Sequence, residues 1–133
     1  MRDVLTTCVY CGCGCGVYLR EDKGRVIGAT ASRNHPVSRN NLCVKGWHLH
    51  EFIHSPERLS EPLLRKDGEL VPVSWEEALD YTARKLLHIK DAHGSQALGV
   101  LSSAKCTNEE NYLLQKFTRA VLKTNNIDHC ARL

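Results

Sequence analysis

Residues Cys8–Gly16, CVYCGCGCG, place four cysteines within nine positions. Four thiols are the number that an iron–sulfur cluster or a structural zinc ion requires. However, Cys11, Cys13 and Cys15 alternate with glycine so tightly that all four thiols can hardly converge on one centre. The stretch therefore predicts a metal-binding loop in which one cysteine points away and a remote residue supplies the missing ligand.

A remote thiol follows the loop after 27 intervening residues and completes the pattern C-x2-C-x3-C…C with Cys8, Cys11, Cys15 and Cys43. Thiolates at this spacing can wrap one face of a [4Fe–4S] cubane, and the glycines between them allow backbone amides to approach the inorganic sulfides. Cys13 lies between two ligands and is expected to point away. A [2Fe–2S] cluster on the same ligands, a structural zinc ion and a metal-free loop remain alternatives, although zinc more often uses two C-x2-C knuckles.

Composition excludes several classes of protein. The 133 residues are 42% apolar and 25% charged, with no apolar run that could span a membrane and no apolar secretory segment at the N-terminus. We therefore expect a cytoplasmic protein without membrane insertion. The net charge of +3 arises in the first sixty residues, which carry 8 Lys and Arg against 5 Asp and Glu. This excess is too small to predict nucleic-acid binding, but it suits an anionic cluster.

The seven cysteines also bear on the redox compartment. An odd number in a chain without a secretory segment favours metal ligation in a reducing compartment over a disulfide framework. Cys13, Cys106 and Cys130 are interpreted as small half-buried residues. His48, His50 and His54 lie close together but are interpreted as solvated helix-surface residues, because no further residue defines a metal site there.

The first half of the chain is predicted to be rich in β structure. Asp22–Gly24 supplies turn chemistry between two β-prone runs, and Lys66–Gly68 does so again. The expected elements are strands at 4–7 and 16–20, the hairpin around Asp22–Gly24, a polar loop at 32–41, a helix at 47–54, and a linker at 55–72 with a brief hairpin.

The second half changes character. Ser74 with Glu77, and Thr107 with Glu110, are capping boxes that predict the start of two helices, and Gly94 is expected to end the first. The expected order is a helix from 75, a strand within 96–103, a helix over about 108–123 and a strand beginning in NNIDHCARL. This alternation of helices and strands is typical of an α/β domain with a parallel sheet. We therefore predict an α+β chain, with a small β-rich [4Fe–4S] domain at 1–58 and the beginning of a larger α/β domain at 59–133.

Four segments together resemble a known family: CVYCGCGC, LCVKGW, PVSWEEALD, and SSAKCTNEENYLLQKFTRAVLKTNNIDHCARL. They are similar to the N-terminal part of molybdopterin oxidoreductases, specifically the catalytic subunits of formate dehydrogenases. The similarity runs from Cys8 to Leu133, which is essentially the whole chain.

The resemblance implies a set of cofactor contacts. The four cysteines named above would bind a [4Fe–4S] cluster, and Lys45 matches the lysine that lies between this cluster and a bis-molybdopterin guanine dinucleotide bearing Mo or W. A cation between two anionic groups is physically sensible. Ser102–Asn108 would form a strand-to-helix loop near the pterin, with Ser103 and Lys105 as candidate contacts.

The ending NNIDHCARL carries a further implication of the resemblance. In the family, the cysteine or selenocysteine that ligates Mo or W follows this segment at once, so no catalytic residue is expected within 1–133. We hypothesise that the sequence stops at a UGA selenocysteine codon read as a stop. His129 is then not the family's proton-handling histidine, which would lie beyond Leu133.

The implied activity is the interconversion of formate and CO2, with electrons leaving through the cluster. The implied partners are iron–sulfur electron-transfer subunits and a hydrogenase, NAD(P)-, ferredoxin- or deazaflavin-reducing module. The alternatives are a small free-standing iron–sulfur carrier, another molybdopterin enzyme such as a nitrate reductase, the related large subunit of respiratory complex I, and a zinc scaffold.

Overall fold

The computed structural model describes residues 1–130, and it confirms the expected mixture of β structure followed by alternating helices and strands. The last residues of the NNIDHCARL segment, Ala131–Leu133, lie outside the described range, as does the predicted metal-ligating position after them. The elements are β1 (Arg2–Thr7), β2 (Gly16–Asp22), β3 (Arg25–Ala31), α1 (Val44–Trp47), β4 (Leu63–Lys66), β5 (Glu69–Pro72), α2 (Trp75–His93), β6 (Val100–Ser102), α3 (Asn108–Phe117) and β7 (Ile127–His129).

The chain forms two compact units, and neither is continuous in sequence. The first unit contains residues 1–58 and 102–114 together with residues 129 and 130. The second unit contains residues 59–101 and 115–128. The predicted domain boundary between residues 58 and 59 stays a prediction. The composition of the units shows, however, that residues 102–114 from the second half of the chain pack with residues 1–58.

The first unit is built on an antiparallel sheet of three strands in the order β1-β2-β3. β2 and β3 are joined by Lys23 and Gly24, whose φ angles of 48° and 81° give the tight turn expected at this hairpin. β1 and β2 end their pairing at Thr7 opposite Gly16. Residues 8–15 are therefore the loop that connects two adjacent antiparallel strands.

The core of this unit lies directly beneath that loop. Cys8, Val17, Ala29 and Leu49 are buried together, and half-buried side chains including those of Tyr10, Cys15, Leu42 and Phe52 pack against them. The chain after residue 41 is thereby held on the sheet, because its apolar side chains supply part of the core.

The helix predicted at 47–54 was misplaced. α1 begins after Cys43, whose extended backbone (φ −75°, ψ 171°) makes it the N-cap residue, and it ends at Trp47. Residues 48–54 form successive turns instead. Gly46 is buried against Leu42, where a Cβ atom would lie 3.1 Å from the leucine Cβ.

The second unit begins with the β4–β5 hairpin, which turns at Asp67 and Gly68 with φ angles of 51° and 91°. α2 follows, and its predicted cap is confirmed because the Ser74 hydroxyl accepts the Glu77 N–H at 3.1 Å. The Glu77 carboxylate does not complete the capping box. It forms an ion pair with Lys66 instead, at 2.7 Å. α2 ends at Gly94, as expected.

The expected succession of helix, strand, helix and strand is present as α2, β6, α3 and β7, and β6 pairs with β7. Two boundaries differ from the prediction. Ser95–Ala97 forms a 3₁₀ turn, so β6 begins only at Val100, and α3 ends at Phe117 before a π-helical turn over Thr118–Leu122. No residue of α2 is buried. Among residues 1–130, no helix is both long and apolar enough to cross a membrane.

Candidate metal centre and cofactor loop

The cysteine loop is closed by backbone hydrogen bonds at its base and at its tip. The Cys8 N–H donates to the Cys15 carbonyl at 2.8 Å, which continues the pairing of β1 with β2 by one step. Near the tip, the Gly14 N–H donates to the Cys11 carbonyl at 3.4 Å, and Gly14 has a φ of 59° that glycine adopts without strain. The loop therefore brings cysteines from both of its ends to one place.

Cys43 reaches the site as the N-cap residue of α1. The backbone N–H groups of Gly46 and Lys45 and the charge of the Lys45 ammonium lower the pKa of the Cys43 thiol, the Gly46 N–H having the largest effect. A lowered thiol pKa favours the thiolate, and the thiolate is the form that binds metals.

Cys15 shows that the thiols form one group. Burial is the main cause of the raised pKa of its thiol, followed by the negative charges of Cys13, Cys8, Cys11 and Cys43. The other three ligands predicted from the sequence are thus each close enough to Cys15 to affect its thiol. Cationic iron would offset this mutual repulsion, so the donor set fits an iron–sulfur cluster.

The thiols differ in exposure. Cys8 is only 5% exposed, Cys11 and Cys15 are half-buried, and Cys13 and Cys43 are exposed. Cys13 nevertheless influences Cys15, so its exclusion from the ligand set stays a prediction. Within residues 1–130, no three His, Cys, Asp or Glu side chains are gathered tightly enough for a single metal ion. A cubane requires a wider arrangement, because each thiolate binds a different iron atom.

Lys45 is held beside the cysteine loop by an aromatic side chain that the sequence analysis did not single out. Its Nζ lies 5.6 Å from the centroid of the Tyr10 ring, within the range of a cation–π interaction. Tyr10 in turn meets Phe52 edge to face, with ring centroids 5.9 Å apart, and the Arg58 guanidinium stands 5.0 Å from the Phe52 ring. Lys45, Tyr10 and Phe52 belong to the lining of a cleft of about 310 Å³.

The loop that contains the candidate contacts Ser103 and Lys105 also belongs to the first unit. The Lys105 N–H donates to the Ser103 hydroxyl oxygen at 3.0 Å. The Ser103 hydroxyl, together with the Ala104 N–H, lowers the pKa of the Cys130 thiol. Both Lys105 and Cys130 are exposed, whereas Cys106 is half-buried. Of the three remaining cysteines, only Cys106 therefore matches its expected half-buried environment.

The clustered histidines occupy different environments. His48 is exposed and pairs with Glu51 at 2.5 Å. His54 is exposed as expected, but its Nε2 accepts the Val26 N–H of β3 at 2.8 Å. His50 is half-buried, and its Nδ1 is buried without a hydrogen-bond partner in the described part of the chain.

Two family models match the chain, one in each half of the sequence. Residues 1–55 match the profile described as the molybdopterin oxidoreductase Fe4S4 domain, and residues 58–133 match the profile described as molybdopterin oxidoreductase. The chain belongs to the molybdopterin oxidoreductase family.

Particular relatives refine this assignment. The chain is 50% identical over 96% of its length to F420-dependent formate dehydrogenase 1 subunit alpha of Methanococcus maripaludis, of which it covers 18%. It is also 50% identical over 99% of its length to F420-dependent formate dehydrogenase subunit alpha of Methanocaldococcus jannaschii, of which it covers 19%. Among solved structures, acetylene hydratase from Pelobacter acetylenicus matches 94% of the chain with a TM-score of 0.70 and 26% identity, over 18% of its own length. The chain thus spans about a fifth of these relatives.

Proposed function

We propose that this chain is part of the catalytic subunit of a formate dehydrogenase. The observation that carries the proposal is the 50% identity to two formate dehydrogenase alpha subunits across both family regions. The reaction would be formate to CO2, one proton and two electrons, or its reverse, and a Mo- or W-bis-molybdopterin guanine dinucleotide supplies that chemistry when bound.

In this proposal Cys8, Cys11, Cys15 and Cys43 bind the [4Fe–4S] cluster. The support is twofold: a backbone hydrogen bond joins Cys8 to Cys15, and the charges of Cys8, Cys11 and Cys43 all contribute to the raised pKa of Cys15. The N–H groups that lower the pKa of Cys43 would also donate to its ligated sulfur, and hydrogen bonds to sulfur help to set the cluster potential.

Lys45 would stand between the cluster and the pterin. Tyr10 holds its ammonium group at the edge of the cysteine loop, where a cation stabilises the more negative, reduced cluster. Ser103 and Lys105 would contact the cofactor from the strand-to-helix loop. In this proposal the residue that ligates Mo or W would lie outside residues 1–133.

Electrons that reach the cluster would pass to partner iron–sulfur subunits. The F420 dependence named for both relatives favours a partner that reduces this cofactor over a hydrogenase, NAD(P) or ferredoxin module. We place the protein in the cytoplasm, with formate and CO2 as its substrates.

The experiment compares cluster reduction by formate and by dithionite in the anaerobically purified holoenzyme. Wild-type enzyme should show the electron paramagnetic resonance (EPR) signal of a reduced [4Fe–4S] cluster with either reductant. A free-standing electron carrier, or a molybdopterin enzyme with another substrate, would respond to dithionite alone. That result would end the proposal.

Two variants test the residue roles. Cys43→Ala should lose the cluster signal and most of the bound iron while retaining the metal cofactor, whereas the half-buried Cys106→Ala serves as the matched control and should keep both. Lys45→Ala should keep the cluster but slow its reduction by formate. A normal spectrum in Cys43→Ala, or a normal rate in Lys45→Ala, contradicts the corresponding role.

A further inference from the structure

One hydrogen bond joins the cysteine loop to the start of α3 although the two residues are 96 positions apart. The Asn108 Nδ2 donates to the Gly12 carbonyl oxygen at 2.9 Å. Gly12 lies between Cys11 and Cys13, so the contact falls within the cluster-binding loop itself. Both residues belong to the first compact unit.

The contact is also sterically close. A Cβ atom at Gly12 would lie 2.5 Å from the Asn108 Oδ1 and 3.3 Å from its Cγ. Real Cβ atoms do not approach so closely, so a side chain at position 12 would have to displace the asparagine. Gly12 does not have the positive φ that favours glycine. The close approach of the Asn108 side chain is therefore what disfavours a larger residue at position 12.

Asn108 is held in place by the cap of its own helix. The Thr107 N–H donates to the Glu110 carboxylate at 2.7 Å, and the Glu110 N–H donates to the Thr107 hydroxyl oxygen at 3.2 Å. This reciprocal capping box fixes the first turn of α3, of which Asn108 is the first residue.

The loop before the helix is held from the other side. The Asn111 Nδ2 donates to the Ser103 carbonyl at 3.3 Å and to the Thr107 carbonyl at 3.1 Å. The Cys106 N–H also donates to the Ser103 carbonyl, at 3.3 Å. The strand-to-helix loop, residues 103–107, and the first turn of α3 therefore form one hydrogen-bonded body, from which the Asn108 amide extends to the cysteine loop.

We propose that Asn108 is a positioning residue that fixes the cysteine loop, residues 8–15, against the strand-to-helix loop and thereby sets the separation between the cluster and the molybdopterin cofactor. The inference rests on the proposed function, which gives those two loops their cofactors. Electron tunnelling falls steeply with distance. A contact that holds the two loops together therefore acts on the rate of electron transfer without touching either redox group.

The decisive variant is Asn108→Asp in the holoenzyme. It removes both N–H donors while keeping the shape of the side chain, and it sets a carboxylate oxygen against the Gly12 carbonyl. A carboxylate in the first turn is favourable for a helix, so loss of helix stability cannot explain the result. Glu109→Gln is the control, because Glu109 is the adjacent exposed residue of the same turn.

The first readout is hydrogen exchange of the amides in residues 8–15, which requires no substrate. Loss of one hydrogen bond should speed their exchange by about two- to tenfold in Asn108→Asp, with no change in Glu109→Gln. Unchanged exchange in Asn108→Asp would overturn the proposal.

The second readout is the rate of cluster reduction by formate against that by dithionite, together with the magnetic coupling between the reduced cluster and the neighbouring metal. Asn108→Asp should lower the formate-driven rate several-fold and weaken the coupling, while dithionite still reduces the cluster fully. If Asn108→Asp speeds amide exchange but leaves the formate-driven rate and the magnetic coupling at their wild-type values, the positioning role is refuted. A wild-type cluster that formate fails to reduce would instead refute the proposed function, and hydrogen exchange would still decide whether the contact holds the loop.

A double-mutant cycle supplies an independent check. Gly12→Ala should displace the Asn108 side chain and Asn108→Ala should remove it, so each single variant should slow electron transfer to a similar extent. In the variant that carries both substitutions, the alanine at position 12 no longer meets the asparagine side chain. The losses of electron-transfer rate from the two single variants should therefore not add. Fully additive effects would show that Gly12 and Asn108 act separately and would contradict the proposal.

Discussion

Gly16 is a position at which the structure predicts a large penalty for an added methyl group. It is buried at the start of β2, directly after Cys15. A Cβ atom there would lie 2.5 Å, 2.6 Å and 2.8 Å from the Cδ2, Cγ and Cβ atoms of His35. Carbon atoms normally approach to about 3.5–4.0 Å. Gly16→Ala therefore forces the chain around residue 35 to move.

The histidine cannot relieve this clash by rotating its ring. One of the three close atoms is its own Cβ, which stays fixed when χ angles change. The Ser38 N–H donates to the ring Nδ1 at 3.3 Å, and the Ser38 hydroxyl oxygen accepts the Gly16 N–H at 3.3 Å. The strain thus reaches the hydrogen bonds that hold the 32–41 loop on the sheet. We expect Gly16→Ala to lower the free energy of unfolding by about 1–3 kcal/mol, the usual range for overpacking.

The assay is urea unfolding of the cluster-loaded protein, followed by circular dichroism and by the visible absorption of the cluster. Gly28→Ala is the matched control in the same sheet, because its Cβ atom would meet only the Arg20 Cβ at 3.8 Å. That variant should be as stable as wild type or more stable by up to about 1 kcal/mol, since alanine loses less conformational entropy on folding than glycine. Adding His35→Gly to Gly16→Ala should recover part of the loss. Equal unfolding midpoints for Gly16→Ala and Gly28→Ala would refute the reasoning.

Three further predictions test separate features. Cys15→Ser should lose bound iron and sulfide whereas Cys13→Ser should retain both, and iron loss in Cys13→Ser would make it a ligand. Tyr10→Leu, but not Tyr10→Phe, should free the Lys45 ammonium and lower the cluster midpoint potential in an EPR-monitored titration; equal potentials would contradict this cation–π contact. Ser74→Ala should remove the N-cap hydrogen bond of α2 and reduce the free energy of unfolding by about 1 kcal/mol, measured in urea. An unchanged midpoint would show that this cap contributes nothing.

The features that the sequence predicted correctly are local ones. The turns at Lys23–Gly24 and Asp67–Gly68 follow from residues that adopt positive φ, and the caps at Ser74 and Thr107 follow from side chains three residues from their partners. In each case the interacting groups lie within one turn of chain. The residue types alone therefore decide the geometry.

The misplaced α1 shows where local reasoning stops. The apolar spacing of residues 47–54 is compatible with a helix, but Leu49 is buried in the core beside Cys8, and His54 accepts a hydrogen bond from Val26 of β3. These contacts hold residues 48–54 as turns on the sheet. The helix instead begins at Val44, directly after Cys43, whose backbone is extended and whose thiol pKa is lowered by the N–H groups of Gly46 and Lys45.

The candidate site also contains features that the sequence predicts and a contact that only the folded chain shows. The cysteine spacing predicts all four candidate ligands, because three of them lie within eight residues and Cys43 is the remote thiol that completes the pattern, and the family resemblance supplies Lys45. The Asn108–Gly12 contact has no comparable signal in a single sequence, because asparagine after a capping threonine is also explained by the helix start itself. A close approach across 96 positions becomes visible only when the chain is folded.

The Asn108–Gly12 hydrogen bond lies within the first compact unit, although its two residues belong to different family regions. The two family regions meet between residues 55 and 58, yet residues 102–114 pack with the first region rather than with the second. A fragment that ends at residue 58 keeps all four candidate thiols but lacks the amide that holds Gly12. All four candidate thiols therefore lie within residues 1–58, whereas a hydrogen bond that supports their loop comes from Asn108, the first residue of α3.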